Sequence, residues 1–253
     1  MNDIGPVLAD ICEAAAREIL PLWRAGIDVD RKADNSPVTE ADRRGEALIL
    51  AELEKRFPGV PVISEEDASE FGVPASIGPR FFLVDPLDGT KAFVRTDPNF
   101  TVNIALIDGG RPVAGAVTAP ATNESWYTDG GQAMKRKAGE APRPVRVRPW
   151  PTGVAVALVS HTMKEAVAEE LAATYGFDLR TPMDSSIKFC RIAEGSADIY
   201  PRHGPTMEWD VAAGHAVLEA AGGRMATAEG EPFTYGKAEA GFRNGWFVAR
   251  GGA

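Results

Sequence analysis

The chain has 253 residues, 44% of them apolar and 25% charged, a globular composition near the upper size for one core, so one domain or two fused subdomains fit and disorder does not. A net charge of -9 argues against a nucleic-acid polymer as partner, because neutralising a run of phosphates needs a basic face; a small anionic substrate still fits where metal ions supply the positive charge. Cys12 and Cys190 are the only cysteines and show no metal-ligand spacing, the N-terminus has no basic n-region and no apolar run reaches membrane-spanning length, all of which point to a soluble cytoplasmic protein.

Ile4, Val7, Leu8, Ile11, Ala15, Ile19 and Leu22 recur at three- and four-residue intervals and predict a helix ending near Gly26. After a polar loop, DVDRKADNSP, Thr39 and Asp42 stand as T-x-x-D before a second helix whose Leu48, Leu50, Leu53 and Phe57 stop at Pro58-Gly59. Asp42 reads there as the acid of a capping box as readily as a functional carboxylate. Val60–Ser64 predicts a short strand that delivers Glu65, Glu66 and Asp67. Three adjacent acids make a solvated turn or, at the end of a buried strand, a place for a cation ligand. The next segment, ASEFGVPASIGP, reads as a loop of a length that could cover a site.

The stretch Phe81–Phe93, FFLVDPLDGTKAF, organises the chain. A hydrophobic strand, Phe81–Val84, ends on Asp85, turns through Pro86 and Leu87, and reaches Asp88 before Gly89 and Thr90 open a short helix. Two acids three residues apart, one at a strand's carboxyl end and one in the turn, can face one pocket and share a hard cation, while N–H groups at the helix start hold an anion. Taken alone, the same pattern also reads as a strand-ending acid and a helix cap.

Phe100–Ile107 and Pro112–Thr118 are β-rich runs joined by Asp108-Gly109-Gly110, a hairpin signal. Ser125–Thr128 and Val145–Val147 add strands, and the intervening DGGQAMKRKAGEAPRP reads as an exposed basic loop. Trp150-Pro151 marks a subdomain boundary. Gly153–Val159 predicts a strand buried on both faces that ends at Ser160-His161-Thr162, followed by a helix with Met163, Val167, Leu171 and Tyr175 on one side. After Asp184-Ser185-Ser186 a short helix carries Lys188 and stops at Gly195, and Ala197–Tyr200 is a strand leading to Arg202. A further helix runs from Asp210 to Gly222-Gly223, and Trp246–Ala249 closes the sheet. Helices and strands without strict βαβ alternation favour a layered sandwich over a doubly wound fold.

The segments SPVTEAD ending at Asp42, SEE at 64–66, DPLDGT at 85–90 and WDVAAG at 209–214 stand in that order. Together they resemble the inositol monophosphatase superfamily of magnesium-dependent, lithium-inhibited phosphatases. The longer phrases VDPLDGTKAF, FTVNIALI, SSIKFC, YPRHGPT and WDVAAGHAV resemble its bacterial 3′(2′),5′-bisphosphate nucleotidases of sulfate assimilation, which take the 3′-phosphate from 3′-phosphoadenosine 5′-phosphate to leave AMP. The resemblance implies an α+β fold, the layered α-β-α-β-α sandwich of the inositol monophosphatase and fructose-bisphosphatase type. It implies a single domain over residues 1–253, with subdomains of approximately 1–150 and 151–253.

The resemblance also implies a site. Glu65, Asp85, Asp88, Asp210 and the main-chain carbonyl of Leu87 would hold two or three Mg2+ ions, oxygen donors of the kind this cation prefers. Asp42 and Thr90 would orient and deprotonate an attacking water, and the N–H groups of Gly89 and Thr90 would bind the phosphoryl oxygens. His161, Ser185, Lys188 and Arg202, with Asp210, would contact the nucleotide. The chain has no Cys-x5-Arg loop and no His nucleophile beside a base, so direct attack of a metal-activated water is expected rather than a covalent intermediate. The implied substrates are adenosine 3′,5′-bisphosphate and its 5′-phosphosulfate. Inositol 1-phosphate or a related sugar phosphate is the alternative, and a non-catalytic nucleotide or metal sensor would need a lost ligand, whereas all the acids are present. Monomer and homodimer both fit. Glu66 is expected to support the metal shell from behind and His215 to be core, while Asp67 is expected to be solvated. Asp184, where a glycine is expected, and Glu208, where an apolar or neutral residue is expected, depart from the pattern.

Overall fold

The structure is a computed structural model that describes residues 4–25, 29–31 and 37–252. In chain order the first half comprises α1 (Ile4–Ala25), β1 (Val29–Arg31), β2 (Pro37–Thr39), α2 (Glu40–Arg56), β3 (Val62–Ser64), α3 (Glu65–Phe71), β4 (Arg80–Asp88) and α4 (Thr90–Val94). The strands β5 (Thr101–Asp108), β6 (Arg111–Ala119), β7 (Glu124–Asp129), β8 (Gln132–Lys137) and β9 (Arg143–Val145) follow. The second half holds β10 (Val156–Val159), α5 (Glu165–Tyr175), β11 (Leu179–Pro182), α6 (Ile187–Ala193), β12 (Ile199–Arg202), β13 (Thr206–Met207) and α7 (Glu208–Ala220). It ends in β14 (Arg224–Thr227), β15 (Arg243–Asn244) and β16 (Phe247–Arg250).

Alternation along the strands decides how these elements stack. On β4, Phe82 and Val84 point to one face and pack with Leu8, Ile11, Ile19, Ile49 and Leu53 of α1 and α2. Phe81 and Leu83 point to the other and meet Phe189 of α6 and Val217 of α7. Each of these side chains is fully buried, and each contributes roughly 1.5–3 kcal/mol by leaving water. The sheet they belong to runs β3-β4-β5-β6-β7-β8-β9, antiparallel except for the β3–β4 pair. The second sheet, β11-β10-β12-β16-β14, repeats the pattern: Leu158 faces α6 and α7, whereas Ala157 and Val159 face α5. The layers are therefore α1 and α2, the seven-stranded sheet, α6 and α7, the five-stranded sheet, and α5, the five-layer α+β sandwich expected.

Close approach of α7 to the first sheet depends on Gly115 of β6. A Cβ there would lie 2.8 Å from the Ala216 Cβ and 2.9 Å from the Ala213 carbonyl oxygen, so any larger residue pushes α7 away.

Some elements differ from expectation. The stretch read as an exposed basic loop at 129–144 contains β8, and its Lys135 is buried among carboxylates. The first four residues of the segment read as a loop, ASEF at 68–71, belong to α3. β4 continues through Asp85 to Asp88 by way of a bulge instead of stopping at Asp85. β1 interrupts the polar loop before α2, and β11 and β14 carry too few apolar residues to be read as strands, one lying at each edge of its sheet. The Thr39 side chain of the expected capping box lies outside the described residues, as does Gly26. Among the described residues no helix is long and apolar enough to cross a membrane.

Candidate active site

The bulge in β4 creates the centre of the site. Asp85 pairs with Asn103 and Asp88 with Thr101, so the β4 side holds one residue more than β5 and the strand kinks there. The extra residue turns both carboxylates toward the end of the sheet. Asp85 Oδ1 accepts the Leu87 N–H at 3.1 Å, which fixes the bulge from within. Gly89 then takes a left-handed φ of 91°, and a Cβ on it would lie 3.0 Å from the Asn99 carbonyl oxygen, so glycine is required for Thr90 to begin α4 where it does. The Thr90 hydroxyl donates to the Leu87 carbonyl at 3.2 Å.

The other carboxylates arrive from separate elements. Glu65 is the first residue of α3, placed by β3 running parallel to β4. Asp210 stands in the first turn of α7, where its Oδ2 accepts the Met207 N–H at 2.8 Å and closes the helix start. Glu65, Asp85, Asp88 and Asp210 line one cavity of about 620 Å3, together with Leu87, Gly89, Thr90, Ser185, Lys188 and Arg202. Asp42 does not line it. It is buried at the start of α2, close enough for its charge to help raise Asp85.

This group of acids is electrostatically unfavourable as it stands. Burial, followed by the charges of Glu65, Asp88, Asp210 and Asp42, pushes the Asp85 carboxyl well above the usual range. Asp210 is raised in the same way, by burial and then by Asp88 and Glu65. Asp88 is raised by burial too, against the opposing pull of Lys188 and of hydrogen bonds from the Ser186 N–H and the Asn103 side chain. Hard oxygen donors that repel one another suit divalent cations, so the donor set fits the Mg2+ expected there. Among the described residues the one set of three ligand-type groups within 4.8 Å of one another is Asp97, His161 and Asp184, outside this group.

The opposite wall is cationic. Lys188 is buried, and its ammonium donates to the carbonyls of Ser185 at 2.6 Å and Met183 at 3.1 Å while lying 4.8 Å from the Tyr200 ring centroid. Burial lowers it to about 8, against the raising charge of Asp88. Ser185 itself has φ 55°, an uncommon left-handed conformation for a residue with a side chain. Next to it, Ser186 bonds Asp88 through its N–H and the Asp210 carbonyl through its hydroxyl, tying the start of α6 to both acids. His161 lies outside the lining, exposed between the lining residues Ser160 and Thr162, with Nε2 3.9 Å from Asp184.

Asn103 and Glu46 hold this arrangement without having been singled out in the sequence, and Glu208 and Asp184, noted there only as departures from the pattern, turn out to have partners. Asn103 was signalled by being polar within the apolar run FTVNIALI, and its amide donates to Asp88 at 3.3 Å. Glu46, on a helix with a weak apolar stripe, gave no such signal. It is buried and accepts the Glu66 and Asp67 N–H groups at 3.1 and 3.4 Å, capping α3 behind Glu65. Glu208 is fully buried. Its carboxylate accepts the N–H groups of Gly236 at 2.8 Å and Lys237 at 3.0 Å and pairs with the Lys237 ammonium at 2.9 Å, anchoring a loop to the helix start that carries Asp210. Asp184 forms an ion pair with Arg95 at 2.6 Å. His215 is core, as expected, with Nδ1 2.9 Å from the Tyr235 hydroxyl.

The inositol monophosphatase family model matches residues 4–249, nearly the whole chain. The chain belongs to the inositol monophosphatase family. Within it, the chain is 43% identical over 223 residues to the Escherichia coli K12 protein named 3′(2′),5′-bisphosphate nucleotidase CysQ, covering 88% of this chain and 89% of that one. A protein of the same name from Buchnera aphidicola is 36% identical over 241 residues, covering 93% and 90%. Among solved structures, CysQ from Bacteroides thetaiotaomicron, described as a bacterial member of the family, superposes with a TM-score of 0.78 at 32% identity over 98% of this chain and 96% of that one. An inositol monophosphatase from Zymomonas mobilis gives 0.76 at 26% identity, covering 98% and 92%. These family members share the layered fold described above.

Proposed function

We propose that this protein is a Mg2+-dependent phosphatase that removes the 3′-phosphate of adenosine 3′,5′-bisphosphate, giving AMP and phosphate. The observation that carries the reading is the division of one cavity into an acidic end, with Glu65, Asp85, Asp88 and Asp210, and a cationic wall with Lys188 and Arg202. A substrate with two phosphates matches both ends. The similarity to proteins named as bisphosphate nucleotidases supports the same choice.

In this reading Glu65, Asp85, Asp88, Asp210 and the Leu87 carbonyl hold the magnesium. When bound, the metal supplies positive charge to the phosphoryl oxygens and makes water more acidic. The N–H groups of Gly89 and Thr90 stabilise charge on the phosphoryl group in transit. Thr90 presents a hydroxyl lone pair as the acceptor that orients water; as the water's proton passes to Thr90, the Thr90 hydroxyl hydrogen, which points at the Leu87 carbonyl in this structure, turns to Asp42, the carboxylate that receives it. Lys188 and Arg202 hold the 5′-phosphate, with Ser185 and His161 along the nucleoside. The same placement serves the 5′-phosphosulfate.

Phosphate release from purified protein, measured in Mg2+ with adenosine 3′,5′-bisphosphate and with inositol 1-phosphate, tests the proposal. The nucleotide is expected to have the higher kcat/KM, and lithium is expected to inhibit. Preference for the inositol ester overturns the assignment.

A further inference from the structure

The catalytic cavity continues beyond Arg202. A second concavity of about 380 Å3 shares Ser160, Thr162, Arg202 and Pro205 with the first, so the two have a common wall. Its lining contains no aspartate or glutamate. The charged side chains facing it are Lys164 and Arg202, with His203 beside them. In a chain of net charge -9, a hollow whose charged lining is cationic runs against the average surface.

Lys164 is uncommitted among the described residues, and Arg202, which also meets the Tyr200 side chain, is only partly engaged. Among the described residues neither Lys164 nor Arg202 has an acidic partner within 4.0 Å. Arg202 donates through one terminal nitrogen to the Pro205 carbonyl at 3.0 Å, while its Nε is buried with no hydrogen-bond partner among the described residues. A buried donor without a partner is costly, and an incoming oxyanion relieves that cost. His203 is held in place by Trp246, whose ring centroid lies 3.6 Å from its own.

We propose that this second cavity is a subsite for an oxyanion attached to the substrate's 5′-phosphate, with Lys164 as its specificity-determining residue. The proposal rests on the nucleotidase reading above. With the 3′-phosphate at the acidic end and the 5′-phosphate at Arg202, a group joined to the 5′-phosphate extends past the shared wall toward Lys164. The substrate class is a nucleoside 3′-phosphate whose 5′-phosphate carries a second tetrahedral oxyanion, either sulfate in a mixed anhydride or another phosphate. The reaction is unchanged. Water adds to the 3′-phosphorus, the bond from that phosphorus to the ribose 3′-oxygen breaks, the 3′-oxygen takes a proton, and the 5′ anhydride stays intact.

The test compares steady-state kinetics of the wild-type protein, Lys164→Glu and Lys164→Arg. The substrates are adenosine 3′-phosphate, adenosine 3′,5′-bisphosphate, the 3′-phosphate 5′-phosphosulfate and the 3′-phosphate 5′-diphosphate. The quantity read is the KM for each extended substrate relative to adenosine 3′-phosphate, which has nothing to place in the subsite. Lys164→Glu is expected to raise that ratio roughly tenfold for the extended substrates and roughly threefold or less for the bisphosphate, the scale of one charge-assisted contact. Lys164→Arg should keep the wild-type ratio. The phosphosulfate and diphosphate arms separate the two sources of oxyanion. Lys164 is exposed, so unchanged melting temperatures are the expected control for folding. A ratio that stays the same for every substrate overturns the subsite while leaving the nucleotidase reading standing. Wild-type protein inactive on all four nucleotides removes both.

Discussion

Two clusters of carboxylates lie within this fold and have opposite electrostatics. At the junction of β7, β8 and α6, Glu124 and Glu194 are enclosed by cations. Lys135 reaches them at 2.6 and 2.7 Å, and Arg191 at 2.9 and 2.7 Å. The Trp126 indole N–H donates to Glu194 at 3.1 Å, and both cations lie within 5.1 Å of the Trp126 ring centroid. Burial pushes these two carboxyls up, but hydrogen bonds from Lys135 and Arg191 outweigh it and hold both below the ordinary value. At the end of β4 burial also pushes up, and neighbouring acids push further. The same fold thus neutralises one cluster internally and leaves the other to be neutralised by something that binds. In the reading proposed above, the compensated acids serve stability and the uncompensated ones serve function.

The sharpest way to break that contrast is Asp88→Asn. Losing one donor should lower kcat at least about a hundredfold, while the metal-free variant melts no lower than the wild type because one repulsive charge is gone. The sign with pH is set by the raised values of Asp85, Asp88 and Asp210. Between the ordinary carboxylate value and the raised one, the folded protein holds more protons than the unfolded chain, so stability without metal falls as pH rises through that range. Mg2+ should flatten the slope. Thermal melts across pH, with Mg2+ and with a chelator, check both, and a metal-free variant that melts well below wild type would remove the distinction between the clusters.

Glu194→Gln probes the other side. Taking the charge from between Lys135 and Arg191 should cost about 2–3 kcal/mol in urea unfolding, with kcat nearly unchanged. A large fall in kcat with normal stability would show that the compensated cluster also serves the reaction.

The smallest expected effect concerns Lys188, the buried cation whose charge acts on Asp88. Because burial lowers it to about 8, its ammonium loses the proton as pH rises through that value, and kcat/KM for the bisphosphate should fall there, chiefly through KM. For stability the sign is reversed relative to the acids: the unfolded lysine keeps its proton up to about 10.4, so between the two values this group favours folding more as pH rises. A Lys188→Met variant should lack the alkaline limb of the pH profile; if the limb persists, another group causes it.

The same contrast explains what could be read from the chain beforehand. Asp85, Asp88 and Gly89 were legible because a strand ending in acids and a positive-φ glycine leave a local pattern within DPLDGT. A layered sandwich followed from the lack of strict βαβ alternation, and its five layers from the family resemblance. β8 was missed because KRK in a turn-rich stretch looks solvated. Lys135 is buried only through partners 11 and 59 residues away, which no local window contains. The bonding of Glu46, and of Glu208, which stood out only as a departure from the pattern, was opaque for the same reason: their bonds go to N–H groups 20 or more residues distant.

The order in which the acids enter the fold has a consequence for synthesis. Glu65, Asp85 and Asp88 lie on neighbouring elements of the first half, but Asp210 leaves the ribosome 122 residues after Asp88, on a helix that must dock between two sheets. The nascent first half therefore carries three of the four charges, and repulsion peaks when α7 comes to rest against Gly115. In the reading proposed above, in which the four acids hold Mg2+, the cation offsets that repulsion as α7 docks, so Mg2+ is expected to speed refolding as well as to support turnover.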